Sequence, residues 1–385
     1  MNRKIVLTLI ASSILALLIA EGIARFVFPP VGETIGKDKV LGWRPRANLL
    51  THHKDPDTGE FRVVKTDENG YRNEPMREKT DKVVILGDSM TFGIYVAQED
   101  IVSSRLSQLL GEATQVLNVS APGWGSQQEL LALEELIPRY RPKAVIWVFT
   151  PVNDVVDNLL DHMMFSPAFK RPVFDLDVEG RLARRPFNEY KGRPVCPRFE
   201  PRLYQLAYKV YKRLDPNNQL TVGAGEDGSN ESSDKVYSPA AIYLEEPPEP
   251  LLKGMKVTAA ILAAARGLCE ENGADLSLVA FDPGQGALPA DPIDRIQSHG
   301  WDPDLFSTSG ARENLENIAR MAGVEMSYYT TPATGTFERD GHLNAAGHSD
   351  FAEFIYRSVF DLNLRLLDPT PFTGQNARSF PLRKD

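Results

Sequence analysis

One short apolar run, ended by a glycine, constrains this chain more than any other feature. Lys82-Val83-Val84-Ile85-Leu86 stops at Gly87-Asp88-Ser89. Consecutive β-branched and large aliphatic residues read as a strand buried on both faces, and a glycine lets the backbone turn sharply at its end. A serine placed there lies at the carboxyl edge of a parallel sheet, where open α/β folds keep their ligands. A second role fits the same residue, because serine also caps helices.

The rhythm that follows supports the sheet. Strands are expected at Lys82–Leu86, Gln115–Val119, Lys143–Phe149, Asp275–Phe281 and Glu325–Thr330. Helical patterns lie near Gln98–Leu110, Ser126–Arg139, Leu252–Glu271, Ala311–Ala322 and Asn344–Phe360. Such alternation predicts an α/β fold, a three-layer α/β/α sandwich around a central, mostly parallel five-stranded sheet. One interval breaks it. About residues 160–250 form a long insertion, with an amphipathic helical patch at Pro201–Leu214 and a polar, Pro- and Gly-rich stretch at Asp215–Pro250 that is expected to be flexible.

The N-terminus is a different substance. Arg3 and Lys4 precede an uncharged run from Ile5 to Ala20. As a helix it measures about 24 Å against roughly 30 Å of hydrocarbon, short of a full crossing unless the helix continues. Residues 1–28 are therefore expected to form a single-pass signal-anchor in the inner, cytoplasmic membrane, with the body on the periplasmic side. Gly22-Ile23-Ala24 also offers a small-x-small processing site, which leaves cleavage as the competing reading. Residues 29–80 are expected to be an extended, membrane-proximal segment without a core of its own. Within it Glu60–Thr66 reads as a strand and Asn69-Gly70 as a tight turn. Residues 81–385 form the main domain.

A net charge of −9 argues against a nucleic-acid partner, since phosphate binding needs clustered Lys and Arg. Cys196 and Cys269 are the only cysteines. They lack metal-ligand spacing; one bridge between them is possible, and two unpaired buried thiols are the favoured expectation. No cofactor and no metal site is expected.

Acyl transfer through serine needs a nucleophile, a base, a group that orients the base, and donors facing the developing oxyanion. Each has a candidate at a strand end. Ser89 follows the first strand and Gly123 the second, with Gly125 as an alternative backbone donor. Asn153 follows the third, and Asp340-Gly341-His342 lies between the fifth strand and the last helix. Ser89 would be the nucleophile, His342 the base and Asp340 its orienting carboxylate. Ser89, Gly123 and Asn153 would form the oxyanion hole. His348 competes with His342 for the role of base but falls inside the last helix. Asp154 is expected to fix its loop, and Trp124 either lines the pocket or joins the core. His52, His53, His162 and His299 show no partner spacing.

These four blocks resemble the SGNH family of GDSL-type hydrolases. Gly87-Asp88-Ser89 matches its first block, the Asn118 to Gly123 spacing its second, Asn153-Asp154 its third, and His342 followed by Asn344 its last. The resemblance covers about residues 82–158 and 252–360 and implies the flavodoxin-like SGNH fold and ester chemistry. Many members carry Asp three residues before the histidine, where this chain has Arg339. Its Asp-x-His form looks like that of alginate-type O-acetyltransferases. The resemblance thus implies an extracytoplasmic esterase or an O-acetyltransferase acting on an acylated saccharide or lipid; a glycan-binding protein on the same scaffold is the non-catalytic rival.

Overall fold

A computed structural model of the chain describes residues 3–27, 34–78, 80–163, 166–185, 203, 239–282, 293, 296–297, 300–307, 309–332 and 334–361. Helix α1 spans Arg3–Val27 and so extends past the uncharged run at both ends. Among the described residues, however, no helix is long and apolar enough to cross a membrane. The expected transmembrane segment finds no support there.

Residues 34–78 are more ordered than an extended leader. Strands β1 (Ile35–Asp38) and β2 (Gly42–Pro45) form one antiparallel hairpin, and β3 (Leu50–Lys54) and β4 (Phe61–Lys65) form another. The second hairpin turns through Asp55–Gly59. Asn69-Gly70 does lie in a tight turn, closed by the Gly70 N–H on the Asp67 carbonyl at 3.1 Å, but it joins no paired strands. This segment borrows its core from the main domain. Leu41, Trp43 and Tyr71 are buried with the helices beyond, and the Trp43 indole donates to the Pro122 carbonyl at 3.0 Å.

The main domain begins with β5 (Asp81–Gly87) and a one-turn helix α2 (Ser89–Phe92), then α3 (Val102–Leu110), β6 (Thr114–Ser120), α4 (Ser126–Tyr140), β7 (Ala144–Phe149) and α5 (Pro151–Asp157). The start of the insertion folds into two small hairpins, β8 (His162–Met163) with β9 (Ser166–Lys170) and β10 (Phe174–Leu176) with β11 (Leu182–Arg184). Cys196, most of the Asp215–Pro250 stretch and all of the Pro201–Leu214 patch but Leu203 fall outside the described residues. Helix α6 (Glu249–Glu271), β12 (Asp275–Asp282), α7 (Gly310–Ala322), β13 (Met326–Thr330) and α8 (Ala345–Ile355) complete the domain.

The five long strands form one sheet in the order β13-β12-β7-β5-β6, and all four pairings are parallel. This is the doubly wound order 2-1-3-4-5. Alternate residues serve opposite layers, which explains the uninterrupted apolar runs. Val83 and Ile85 of β5, with Ile146 and Val148 of β7, pack against Val102 and Leu106 of α3 and Phe351 and Ile355 of α8. Val84, Leu86, Val145, Trp147 and Phe149 face the other way, into α4, α6 and α7. Cys269 is a free thiol in that layer. The chain leaves β5 for β6 on one side and then crosses to β7 on the other. The crevice between the carboxyl ends of β5 and β7 is therefore the switch point of the fold, and both strand ends feed it.

Candidate active site

The carboxyl end of β5 delivers Ser89 into that crevice, and the helix cap there is Asp88, not the serine. Asp88 Oδ1 accepts the Met90 N–H at 2.8 Å and so starts α2. Ser89 is left with its hydroxyl free for other work. His342 Nε2 lies 2.8 Å from Ser89 Oγ. Its other ring nitrogen, Nδ1, is hydrogen-bonded to Asp340 Oδ1. The loop that joins β13 to α8 thus brings base and carboxylate to a serine some 250 positions earlier.

Two local devices hold this loop. Asn344 caps α8, accepting the Gly347 N–H at 3.0 Å while its amide donates to the carbonyls of Thr334 and Thr336, both at 2.9 Å. The Phe337 N–H bonds the His342 carbonyl at 2.9 Å. Phe337 itself packs with Val96, Ile101 and Tyr95. The Tyr95 ring stands edge-on to His342, with centroids 6.0 Å apart.

Charge balance suits a base. Burial by itself would lower the His342 pKa, but the hydrogen bond and charge of Asp340, with Asp88 behind, outweigh it and leave the imidazole above its ordinary value. Asp340 is raised by burial and lowered more by His342, so it stays ionised. His348 is different in kind. It is fully buried, accepts the Val102 N–H on Nδ1 at 3.2 Å, and is pushed down to about 3 by burial and the nearby Arg72 charge. Neither of its ring nitrogens is hydrogen-bonded to Ser89, whose hydroxyl faces His342.

Gly123 and Asn153 flank the nucleophile's strand. Gly123 has φ of +76°, and a Cβ there would sit 3.1 Å from Met163 Cε, so this close turn suits glycine alone. No acceptor is found among the described residues for the N–H of Ser89 or of Gly123. The rival donor, the Gly125 N–H, is engaged with Gln128 Oε1 at 3.2 Å. Asn153, in the first turn of α5, donates from Nδ2 to Asp88 Oδ2 at 2.9 Å. That bond turns its amide toward the Gly-Asp-Ser segment and leaves a second N–H on the same nitrogen. Asp154 fixes the loop by accepting the Thr150 N–H at 2.6 Å. Trp124 is fully buried and joins the core, its indole bonded to the Trp43 carbonyl at 2.9 Å.

Behind the site lies a group of buried acids, of which the sequence motifs point to Asp154 but not to Glu129 or Asp157. All three are nearly inaccessible, and among the described residues only Asp157 has a cationic partner, Arg171 at 3.0 Å. Glu129 sits on α4 at helical spacing with apolar neighbours; an acid within that stripe was the available signal. No group of three or more histidine, cysteine or acidic residues among the described residues has the geometry to hold a metal ion. His53 is buried against Tyr95, His162 pairs with Asp161, and neither approaches Ser89 in any hydrogen bond. His299 falls outside the described residues.

A doubly wound parallel sheet with a serine, histidine and aspartate joined in series at its switch point has the parts of a nucleophilic acyl-transfer site. The hydroxyl can be deprotonated by an imidazole that a carboxylate orients. No protein-family model matches the chain, and no curated protein matches it in sequence. Among solved structures it is similar to that of TesA, at 12% identity with a TM-score of 0.35, covering 72% of this chain and 96% of the other. It is also similar to a lipase/acylhydrolase from Enterococcus faecalis, at 12% identity and a TM-score of 0.34 over 73% of this chain and 95% of the other. A third is a GDSL-like lipase from Bacteroides thetaiotaomicron, at 12% identity and a TM-score of 0.32 over 74% and 90%.

Proposed function

We propose that this chain is a serine enzyme of the SGNH type that cleaves or transfers an O-acyl group on a saccharide or lipid through an acyl-serine intermediate. The observation that carries the proposal is the 2.8 Å contact between His342 Nε2 and Ser89 Oγ, with Asp340 on the far side of the ring. Ser89 Oγ attacks the acyl carbonyl as its proton passes to His342 Nε2. The N–H groups of Ser89 and Gly123 and the Asn153 amide receive the oxyanion. Collapse breaks the ester C–O bond, and the leaving alkoxide takes the proton from His342. Water or a second hydroxyl then gives its proton to His342 and attacks the acyl-serine, which restores the serine.

Intact-protein mass measured after incubation with acyl-nitrophenyl esters or a fluorophosphonate tests this. One adduct on Ser89, lost in Ser89→Ala, is expected. Folded wild-type protein that takes up no label would instead support a glycan-binding role for the same crevice. The transferase alternative, an O-acetyltransferase acting on an exported polysaccharide, is favoured by the Asp340-x-His342 spacing. It requires acyl label to appear on an added glycan acceptor; label found only as free acid removes it.

Retention at the inner membrane, with the body on the periplasmic side, belongs to the same proposal. Arg3 and Lys4 precede the apolar run, and Leu15, Leu17, Leu18 and Ile23 of α1 expose 59–64% of their surface. Such a row of uncovered aliphatic side chains suits a lipid environment. The expected result is sedimentation of the full chain with membranes and release of a variant that lacks residues 1–28. A full chain found in the soluble fraction would refute this part.

A further inference from the structure

The loop that carries Asp340 and His342 is held from outside by a residue of the N-terminal hairpin. Asp57 Oδ2 accepts the Glu338 N–H at 2.9 Å, and its Oδ1 accepts the Arg339 N–H at 3.1 Å. These are the backbone N–H groups of the two residues that immediately precede Asp340. From these contacts we infer that Asp57 is a positioning residue for the base, holding the outer limb of the loop so that Asp340 and His342 stay in line with Ser89. The inference rests on the serine-enzyme reading above.

Asp57 can act this way because its own turn is rigid. Asp55, buried beneath it, accepts the N–H groups of Asp57 and Thr58, both at 3.0 Å. The Asp55 carbonyl also receives the Gly59 N–H at 2.9 Å. Arg62 stands 3.5 Å from the other Asp55 oxygen. Burial raises the Asp55 pKa, yet the Thr58 and Asp57 hydrogen bonds and the Arg62 charge lower it overall, so the turn keeps its anionic centre. The same hairpin touches the site a second time, where His53 of β3 stands edge-on to Tyr95 with centroids 6.3 Å apart.

The inner limb of the loop has its own anchors in Phe337 and Asn344. The outer limb is exposed, and within the described residues its N–H groups at 338 and 339 reach Asp57. A carboxylate that accepts two adjacent N–H groups fixes a peptide plane as a neutral single acceptor does not. Small displacements of a reacting group are costly, since about 1 Å can lose on the order of a hundredfold in rate.

The test compares Asp57→Ala and Asp57→Asn with the full-length wild type. For Asp57→Ala, kcat on a nitrophenyl ester should fall about tenfold to a hundredfold with KM nearly unchanged, and amide exchange at Glu338 and Arg339 should accelerate. Thermal unfolding should stay close to wild type, because the residue lies on a surface turn. Asp57→Asn keeps one neutral acceptor oxygen but sets an NH2 against the second N–H, so it should recover only part of the rate and fall between Asp57→Ala and wild type. Wild-type kcat and unchanged exchange in Asp57→Ala would overturn the inference, as would a rate loss matched by global unfolding. If the wild type turns over no ester, the enzymatic reading fails, while the exchange measurement still reports whether the clamp exists.

Discussion

The Tyr95 hydroxyl lies 3.4 Å from Asp340 Oδ2, the carboxylate oxygen that His342 does not use. The bond is long, and the phenol is held protonated by burial and by the adjacent Asp340 charge. Its donor role is therefore real but weak. Tyr95→Phe keeps the ring against His342 and Phe337 and removes only this donor, so kcat should fall by no more than about tenfold, the equivalent of roughly 1.4 kcal/mol. Tyr95→Ala also removes the ring packing and should cost more. Equal losses in the two variants would mean that the hydroxyl, not the ring, carries the effect.

The acid limb of the pH profile follows from His342. The imidazole must be neutral to accept the serine proton, so kcat/KM should fall as pH drops through its pKa. Asp340 raises that pKa above the ordinary value, which puts the limb above about 6.5 in the wild type. Asp340→Asn removes the charge and should move the limb to lower pH while cutting kcat by about ten-thousandfold, because an amide favours the wrong ring tautomer. A limb that stays in place in this variant would assign the titration to another group.

Asn153 bonds two things at once. Its Nδ2 donates to the buried Asp88 carboxylate and carries the second N–H assigned to the oxyanion. Asn153→Ala should therefore lower kcat by about 100- to 1,000-fold. It should also cost roughly 1–3 kcal/mol of stability, because Asp88 Oδ2 loses a partner inside the protein. Turnover within threefold of wild type in a variant that unfolds earlier would leave Asn153 a purely structural residue.

The central sheet was legible because its signals are local. Strands β5, β6 and β7 are short apolar runs with turn residues close behind them, β12 and β13 are rich in apolar and aromatic residues, and the structure places each of the five within a residue of the expected bounds. Ser89, Gly123 and Asn153 stand out for the same reason, as each follows closely on the end of a strand, whereas His342 lies well beyond Thr330, the last residue of β13, and stands out by its block with Asp340 and Asn344. Of the hairpins of residues 35–65 only β4 was legible, in the alternation of Glu60–Thr66; four- and five-residue strands such as Leu50–Lys54, with two histidines and a lysine, carry little pattern. Asp57 and Tyr95 were not legible either. Their partners in the site lie 245 to 282 positions away, and no spacing rule reaches across such a distance.

Glu129 is the last residue whose behaviour can be forecast from its surroundings. It is fully buried on α4; neither carboxyl oxygen has a hydrogen-bond partner of good geometry among the described residues, and the nearby Trp147 indole offsets the burial only in part. Burial, with the charges of Asp88 and Asp157, drives its pKa well above the ordinary value, so the folded protein holds this proton more tightly than the unfolded chain. A raised folded pKa gives stability that is complete below the unfolded value, near 4.3, and is lost as pH rises toward the folded one. Glu129→Gln abolishes the titration with little change of shape. Its advantage over wild type should grow by about 1.4 kcal/mol per pH unit above that lower limit, up to the folded pKa. Thermal unfolding at pH 5 and pH 8 checks this: the variant should gain more at pH 8. A variant less stable than wild type at both values would mean that Glu129 is ionised and satisfied in the fold, and that the acids behind Ser89 form a charged cluster instead of a neutral one.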